Sequence, residues 1–367
     1  MSAEVAAVFW AVVGARFLLP LLIFRYPLPA IIGCLVLDGV DQTIFQSFGY
    51  DPPGYQGYDK AMDVYYLALA YLATMRNWAS MPAFRTARFL YFYRLVGVVA
   101  FELSQWRPLL LIFPNTFEYF FIAYEGIRSR WDPAKLRMGF WLATAAFIWI
   151  VIKLPQEYWI HIAKLDFTET VANVPWFGPA VIAGVLVLLA VFWYVVRPRL
   201  RPADWHWRLT ADPVPEPIDT AEERDAWRAL HNRVWSLVTV EKIFLVGLIS
   251  VVFGQVLPDL RTTGSQLFLA IAVLVVINTA FSLWAARRQH GVQSAAAAFL
   301  VRLAFNIGLV LVAGLLLREG DIDLVDTAFF ILLLSLITSL HDRYRPIYEV
   351  RRAEPEPART TAPNPTA

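Results

Sequence analysis

Residues 177–196 run for twenty positions without one charged side chain, and that stretch restricts the chain to very few folds. Hydrocarbon offers the backbone no water, so a spanning segment has to close its hydrogen bonds internally, as a helix does. At about 1.5 Å per residue, about 20 residues cross a core about 30 Å thick. Residues 267–286 and 326–340 with its flanks follow the same pattern, and the alternating ten-residue pattern of an outer-membrane barrel is missing. Composition agrees: 58% of residues are hydrophobic and 17% charged, against roughly a quarter charged in soluble domains. The expected class is an all-α, polytopic integral membrane helical bundle.

Apolar runs of this length predict about eleven spans, near 6–24, 28–47, 60–76, 88–105, 108–127, 138–154, 177–196, 236–257, 266–286, 295–317 and 326–341. Basic residues are retained on the cytoplasmic side of a membrane. Here they cluster in alternate connections: Arg25; Arg76, Arg85 and Arg88; Arg128, Arg130, Lys135 and Arg137; Arg197, Arg199, Arg201 and Arg208; Arg287 and Arg288; Arg343, Arg345, Arg351 and Arg352. Acidic residues dominate the others, so the amino terminus is expected outside and the carboxyl terminus in the cytoplasm of a cell membrane. Nothing at the start resembles a cleavable signal, since Glu4 stands where a basic region belongs.

Residues 1–201 form a first bundle of about seven spans, with an external surface segment at 156–176 in which Trp159 and Trp176 sit at headgroup level. Residues 202–235 begin as a proline-rich linker and turn helical after Asp219 or Thr220. Residues 236–341 form a second bundle of about four spans, and 342–367 a disordered cytoplasmic tail. Cys34 is the single cysteine, so no intrachain disulfide forms. Walker and dinucleotide glycine motifs, a Gly-x-Ser-x-Gly elbow and histidines at zinc-ligand spacing are all missing. Basic residues follow the membrane surface and not a nucleic-acid stripe, so nucleic acid is not an expected partner.

Against this apolar background the acidic residues carry the information. Asp38 and Asp41 (i, i+3) share a face of the second span, and Asp59 and Asp63 (i, i+4) share a face at the start of the third. Between them lies a turn-rich loop with Gly49, Pro52, Pro53, Gly54 and Gly57. A carboxylate near the bilayer centre costs about 2.5–3.5 kcal/mol, so intramembrane acids mark sites lined by protein or water. The four aspartates are candidate ligands for a hard divalent cation such as Mg2+ or Mn2+. Asp38 and Asp41 are also candidate catalytic carboxylates, with Glu102 near the outer end of the fourth span and Glu118 in the fifth beside Pro114 and Asn115. A purely structural alternative pairs Asp38 with Arg16 and leaves Asp59 and Asp63 as hydrated residues at a helix start.

In spacing, the four aspartates resemble the CDP-alcohol phosphotransferase pattern D-x2-D-G-x2-A-R-x8-G-x3-D-x3-D. Gln42, Phe45, Gln46 and Tyr55 stand where that pattern has Gly, Ala, Arg and Gly, so the likeness is confined to the aspartates. That family's site opens to the cytoplasm, whereas the basic connections here direct the cluster outward. No family is assigned on it. Three functions stay open: a membrane-embedded enzyme acting on a lipid, lipid-linked or small-molecule substrate, with or without a metal; a proton-coupled secondary transporter; and a scaffold for envelope proteins. Membrane lipids are the expected surroundings, and no oligomeric state follows from the sequence.

Overall fold

The computed structural model describes residues 3–50, 55–163, 165, 170–171, 173–256, 263–288, 294–317 and 324–353. Asp51, Asp166, Glu169, Asp259, Glu319, Asp321 and Asp323 of the acidic connections, and the tail past Ala353, lie outside the described residues. All regular elements among the described residues are helices, without a strand. The helices are α1 (Ala3–Leu18, continued by the 3-10 turn Leu19–Phe24), α2 (Pro27–Ser47), α3 (Tyr55–Asn77), α4 (Met81–Ser104), α5 (Pro108–Ile112), α6 (Thr116–Arg128) and α7 (Met138–Ile162). They continue with α8 (Phe177–Arg199), α9 (Ala221–His231), α10 (Leu237–Val256), α11 (Gly264–Arg287), α12 (Ala295–Leu317) and α13 (Leu324–Ala353).

Local chemistry explains many of the ends. Pro27 opens α2, where its missing N–H costs nothing. The Ser80 hydroxyl accepts from the backbone of Ala83 at the start of α4, and reciprocal capping boxes (Thr220 with Glu223, Thr263 with Gln266) start α9 and α11. The single span expected over 108–127 is instead the two helices α5 and α6, parted at residues 113–115. Pro114 has no N–H to donate and its ring crowds the preceding turn.

Among the described residues, six helices are long and apolar enough to cross a membrane: Ala3–Phe24, α2, α7, α8, α10 and α11. The protein therefore has the make-up of a helical membrane protein. α8 buries no residue of its apolar window, so its whole circumference faces outward. α3 is the reverse, buried almost continuously from Ala61 to Trp78 and packed against α4, α10 and α13. A helix so encased meets side chains rather than lipid, so Tyr, Thr and Asp can stand where a lipid-facing helix would need aliphatic groups. Because α10 and α13 both lie on α3, the segments either side of the 202–235 connection share one core.

Several local expectations need correction. The last helix does not end at 341: residues 342–353 continue α13, with Tyr344, Ile347, Tyr348 and Val350 buried. Tyr344 stacks on Phe24 at 4.9 Å and Tyr348 on Phe84 at 4.2 Å, and this packing holds the helix past the expected boundary. Residues 156–162 belong to α7 and not to a surface helix, and Glu157 within them is buried. Glu241, Lys242 and Arg302 are buried and paired. Glu241 takes Arg88 and Arg345, each at 2.9 Å, and the Tyr71 hydroxyl, while Asp342 takes Lys242 at 2.7 Å and Arg302 at 2.8 Å. His341 is fully buried.

A neutral ladder ties α11, α12 and α13. The Asn278 amide donates to Asn306 at 2.6 Å, and Asn306 donates to the Ser335 hydroxyl at 2.8 Å. The linker is held to the end of α6 by Arg128, which is buried and bonds Glu125, Asp212 and the Thr210 carbonyl. Farther out, Lys135 bonds Asp204 at 2.8 Å, which holds that carboxyl below its ordinary range.

Candidate functional site

The site is built on Arg16, in the last turn of α1 and 5% exposed. Its guanidinium meets all four aspartates: Asp38 and Asp41 from α2, Asp59 at 2.9 Å and Asp63 at 3.4 Å from α3. Helical spacing set each pair on one face, and the packing of α2 against α3 and α1 turned the two faces toward each other. Arginine suits this place because its planar fork presents several donors in fixed directions. The structural alternative foresaw Arg16 beside Asp38, but the guanidinium is shared by four carboxylates.

An aromatic cluster seats the junction between α2 and α3. Phe9 packs against Phe45 at 5.6 Å and Tyr50 at 5.8 Å, and Tyr55 lies 6.4 Å from Phe45. Gly49 ends α2 with φ +70°, a conformation glycine adopts without strain. Tyr55, the first residue of α3, donates its hydroxyl to Asp41, and the Arg16 guanidinium lies 5.5 Å from the centre of the Tyr58 ring.

The four aspartates then divide. The Asp41 side chain is fully buried, with one oxygen accepting from Arg16 and the other from the Tyr55 hydroxyl and the Gln42 backbone N–H. Asp38, Asp59 and Asp63 keep 24%, 32% and 22% of their side chains exposed. One carboxylate oxygen from each of these three lies within 4.8 Å of the others. Four carboxylates against one guanidinium leave an excess of three negative charges where water is scarce, and such an excess is relieved by a proton or a metal cation. Oxygens at this spacing suit a hard divalent ion, which takes its ligands at about 2.0–2.6 Å. Among the described residues, Asp38, Asp59 and Asp63 are the trio that fits such an ion, and Asp41 is committed to Arg16 and Tyr55.

The two glutamates lie apart from this trio. Glu102 on α4 is buried, 3.8 Å from Lys60 of α3, whose ammonium sits over the Phe101 ring at 4.2 Å. Glu118 is in the first turn of α6 and buried. It accepts from the Tyr66 hydroxyl and, at 2.9 Å, from the Asn115 amide. Asp59, Asp63 and Tyr66 follow an i, i+4, i+7 stripe on α3, which joins the trio to Glu118.

Beyond Glu118 the polar chain continues. The Asn115 backbone N–H donates to Glu157 at 3.2 Å, and Glu157 also takes His161 at 3.1 Å and Lys153 at 3.5 Å. Sequence reasoning missed Glu157 and Tyr66. The i, i+4 spacing of Lys153, Glu157 and His161 within an apolar run was the available signal. No known protein family, curated protein or solved structure matches this chain.

Proposed function

We propose that the Arg16 and aspartate cluster is the active centre of a membrane-embedded, metal-dependent enzyme acting on a lipid or lipid-linked substrate. The observation that carries this reading is the convergence of Asp38, Asp59 and Asp63 from two helices, with oxygens within 4.8 Å of one another and side chains still partly exposed. These three would hold a divalent cation, which supplies Lewis-acid stabilisation of a charged leaving group or phosphoryl oxygen. Arg16 and Tyr55 keep Asp41 fixed beneath them, and Arg16 limits the mutual repulsion of the trio. The basic connections favour an outward-facing mouth for this centre, with the carboxyl terminus in the cytoplasm.

A second reading, proton-coupled transport, is favoured by the chain from Tyr66 through Glu118 and Asn115 to Glu157 and His161. Hydrogen-bonded acids of this kind within a bundle are suited to relaying protons. Mn2+ binding by the purified protein, followed by electron paramagnetic resonance, separates the two. The enzyme reading expects one ion bound by the wild type and at least about tenfold weaker binding when Asp59→Asn and Asp63→Asn are combined, a loss of about 1.4 kcal/mol or more. Equal affinity in both proteins, or no binding in either, refutes metal dependence. Proton-driven uptake in reconstituted vesicles that is lost in Glu118→Gln would instead favour transport.

A further inference from the structure

A second site lies away from the aspartates. A cavity of about 380 Å3 opens between α9, the last turns of α11, the first turns of α12 and the middle of α13. Its walls are of two kinds. Arg228, Arg302, Ser339 and Asp342 bring polar groups to it, and Phe281 and Trp284 aromatic rings.

Some of the polar lining consists of donors that the protein leaves unused. Arg302 is 7% exposed and Ser339 8%. The Nη1 of Arg302, the Oγ of Ser339 and the Nε of Arg228 are buried without a hydrogen-bond partner. Native proteins seldom leave several such groups together, because each forfeits its water without replacement. Charge points the same way: four arginines (Arg224, Arg228, Arg302, Arg343) line the cavity against two carboxylates, Asp225 and Asp342. Asp342 is already shared between Arg302 and Lys242, and Asp225 is 2.9 Å from Arg228. An anion with several acceptor oxygens satisfies both deficits, and arginine forks match phosphoryl oxygens closely.

The exposed apolar residues identify what carries the anion. Trp284 and Val301 of the lining are 51% and 50% exposed, and Leu300, next in sequence to Val301, is 58% exposed. Leu230 of α9, with Trp235 and Leu237 just after it, is exposed more fully still. Arginines with an outward aromatic and aliphatic border describe the headgroup level of a membrane, where basic pockets between helices take anionic lipids.

We propose that this cavity binds a phosphoryl group, carried by an anionic membrane lipid whose acyl chains lie along Trp284 and Val301. Purified protein is incubated separately with phosphatidylglycerol, phosphatidylcholine and inorganic phosphate, and retention is read by native mass spectrometry alongside thermal stability. Two variants are compared with wild type: Arg302→Gln removes a donor, and Ala298→Phe fills the cavity without touching an ion pair. The expected result is about tenfold greater retention of phosphatidylglycerol than of phosphatidylcholine by the wild type, lost in both variants. Stabilisation of wild type but not Ala298→Phe by inorganic phosphate, without lipid retention, keeps the phosphoryl site and assigns it a soluble ligand. Retention of phosphatidylglycerol equal in wild type and a correctly folded Ala298→Phe, or no ligand bound at all, overturns the proposal.

Discussion

Replacing Arg16 with glutamine tests the geometry of the aspartate centre directly. The guanidinium lies 2.9 Å from Asp59 and 3.4 Å from Asp63. At those distances each pair interacts by about 5–6 kcal/mol with an effective dielectric constant of about 20. That figure overstates the loss, because Asp38, Asp59 and Asp63 keep 22–32% of their side chains exposed and can recover water. Asp41 cannot, since its side chain is fully buried. Breaking a buried pair from one side costs about 3–5 kcal/mol, and Arg16→Gln should lose that much. Adding Asp41→Asn removes the stranded charge while leaving the Tyr55 hydroxyl an acceptor, so the double variant should recover most of the loss. Unfolding in detergent, followed by tryptophan fluorescence, measures both. Arg16→Gln should also bind Mn2+ more tightly than the wild type, because the trio loses its competing cation. A single variant within about 1 kcal/mol of wild type, or a double variant no better than the single, would refute the reasoning, since either means that Asp41 does not depend on Arg16.

Tyr66→Phe leaves one Glu118 oxygen without its donor and should cost about 1–3 kcal/mol in the same assay, while Asn115 still holds the other oxygen. Gly97→Ala would place a Cβ 2.1 Å from the Cβ of Phe113 and should destabilise by about 1–3 kcal/mol, whereas Gly126→Ala, with nothing within 4 Å of its Cβ, should be tolerated. Asn306→Leu removes both rungs of the ladder joining α11, α12 and α13 and should cost about 1 kcal/mol, the usual scale of hydrogen bonds inside a membrane bundle. The Asp204 carboxyl is held low by Lys135, so its tie is intact at neutral pH and is lost as pH falls through that lowered value. Proteolysis of the 202–212 linker should therefore accelerate in acid, and be fast at every pH in Asp204→Asn.

The helical membrane class and the facing of each aspartate pair were readable in the chain because both rest on local geometry. An uninterrupted apolar run has to satisfy its own backbone, and residues three or four apart on a helix share a side whatever surrounds them. Likewise, a helix start after Asp219 or Thr220 is expected from their capping side chains, and Thr220 is the residue that caps α9. Span counting was less secure, because α3 and α4 carry too many polar groups to resemble lipid-facing helices, and they tolerate them through burial among their neighbours.

Contacts between distant segments left no local trace. Arg16 beside Asp38 is one alternative the sequence leaves open, but nothing near residue 16 says that the same guanidinium will also meet Asp41, Asp59 and Asp63, nor that Tyr66 will reach Glu118 while Glu102 turns to Lys60. The continuation of α13 to Ala353 depends in the same way on Phe24 and Phe84. Backbone satisfaction and helical period act within a few residues, so the amino-acid order alone made this a bundle of membrane helices. Which acids share a cation is a matter of how helices pack against one another, and packing follows from side-chain shapes that meet only once the chain has folded.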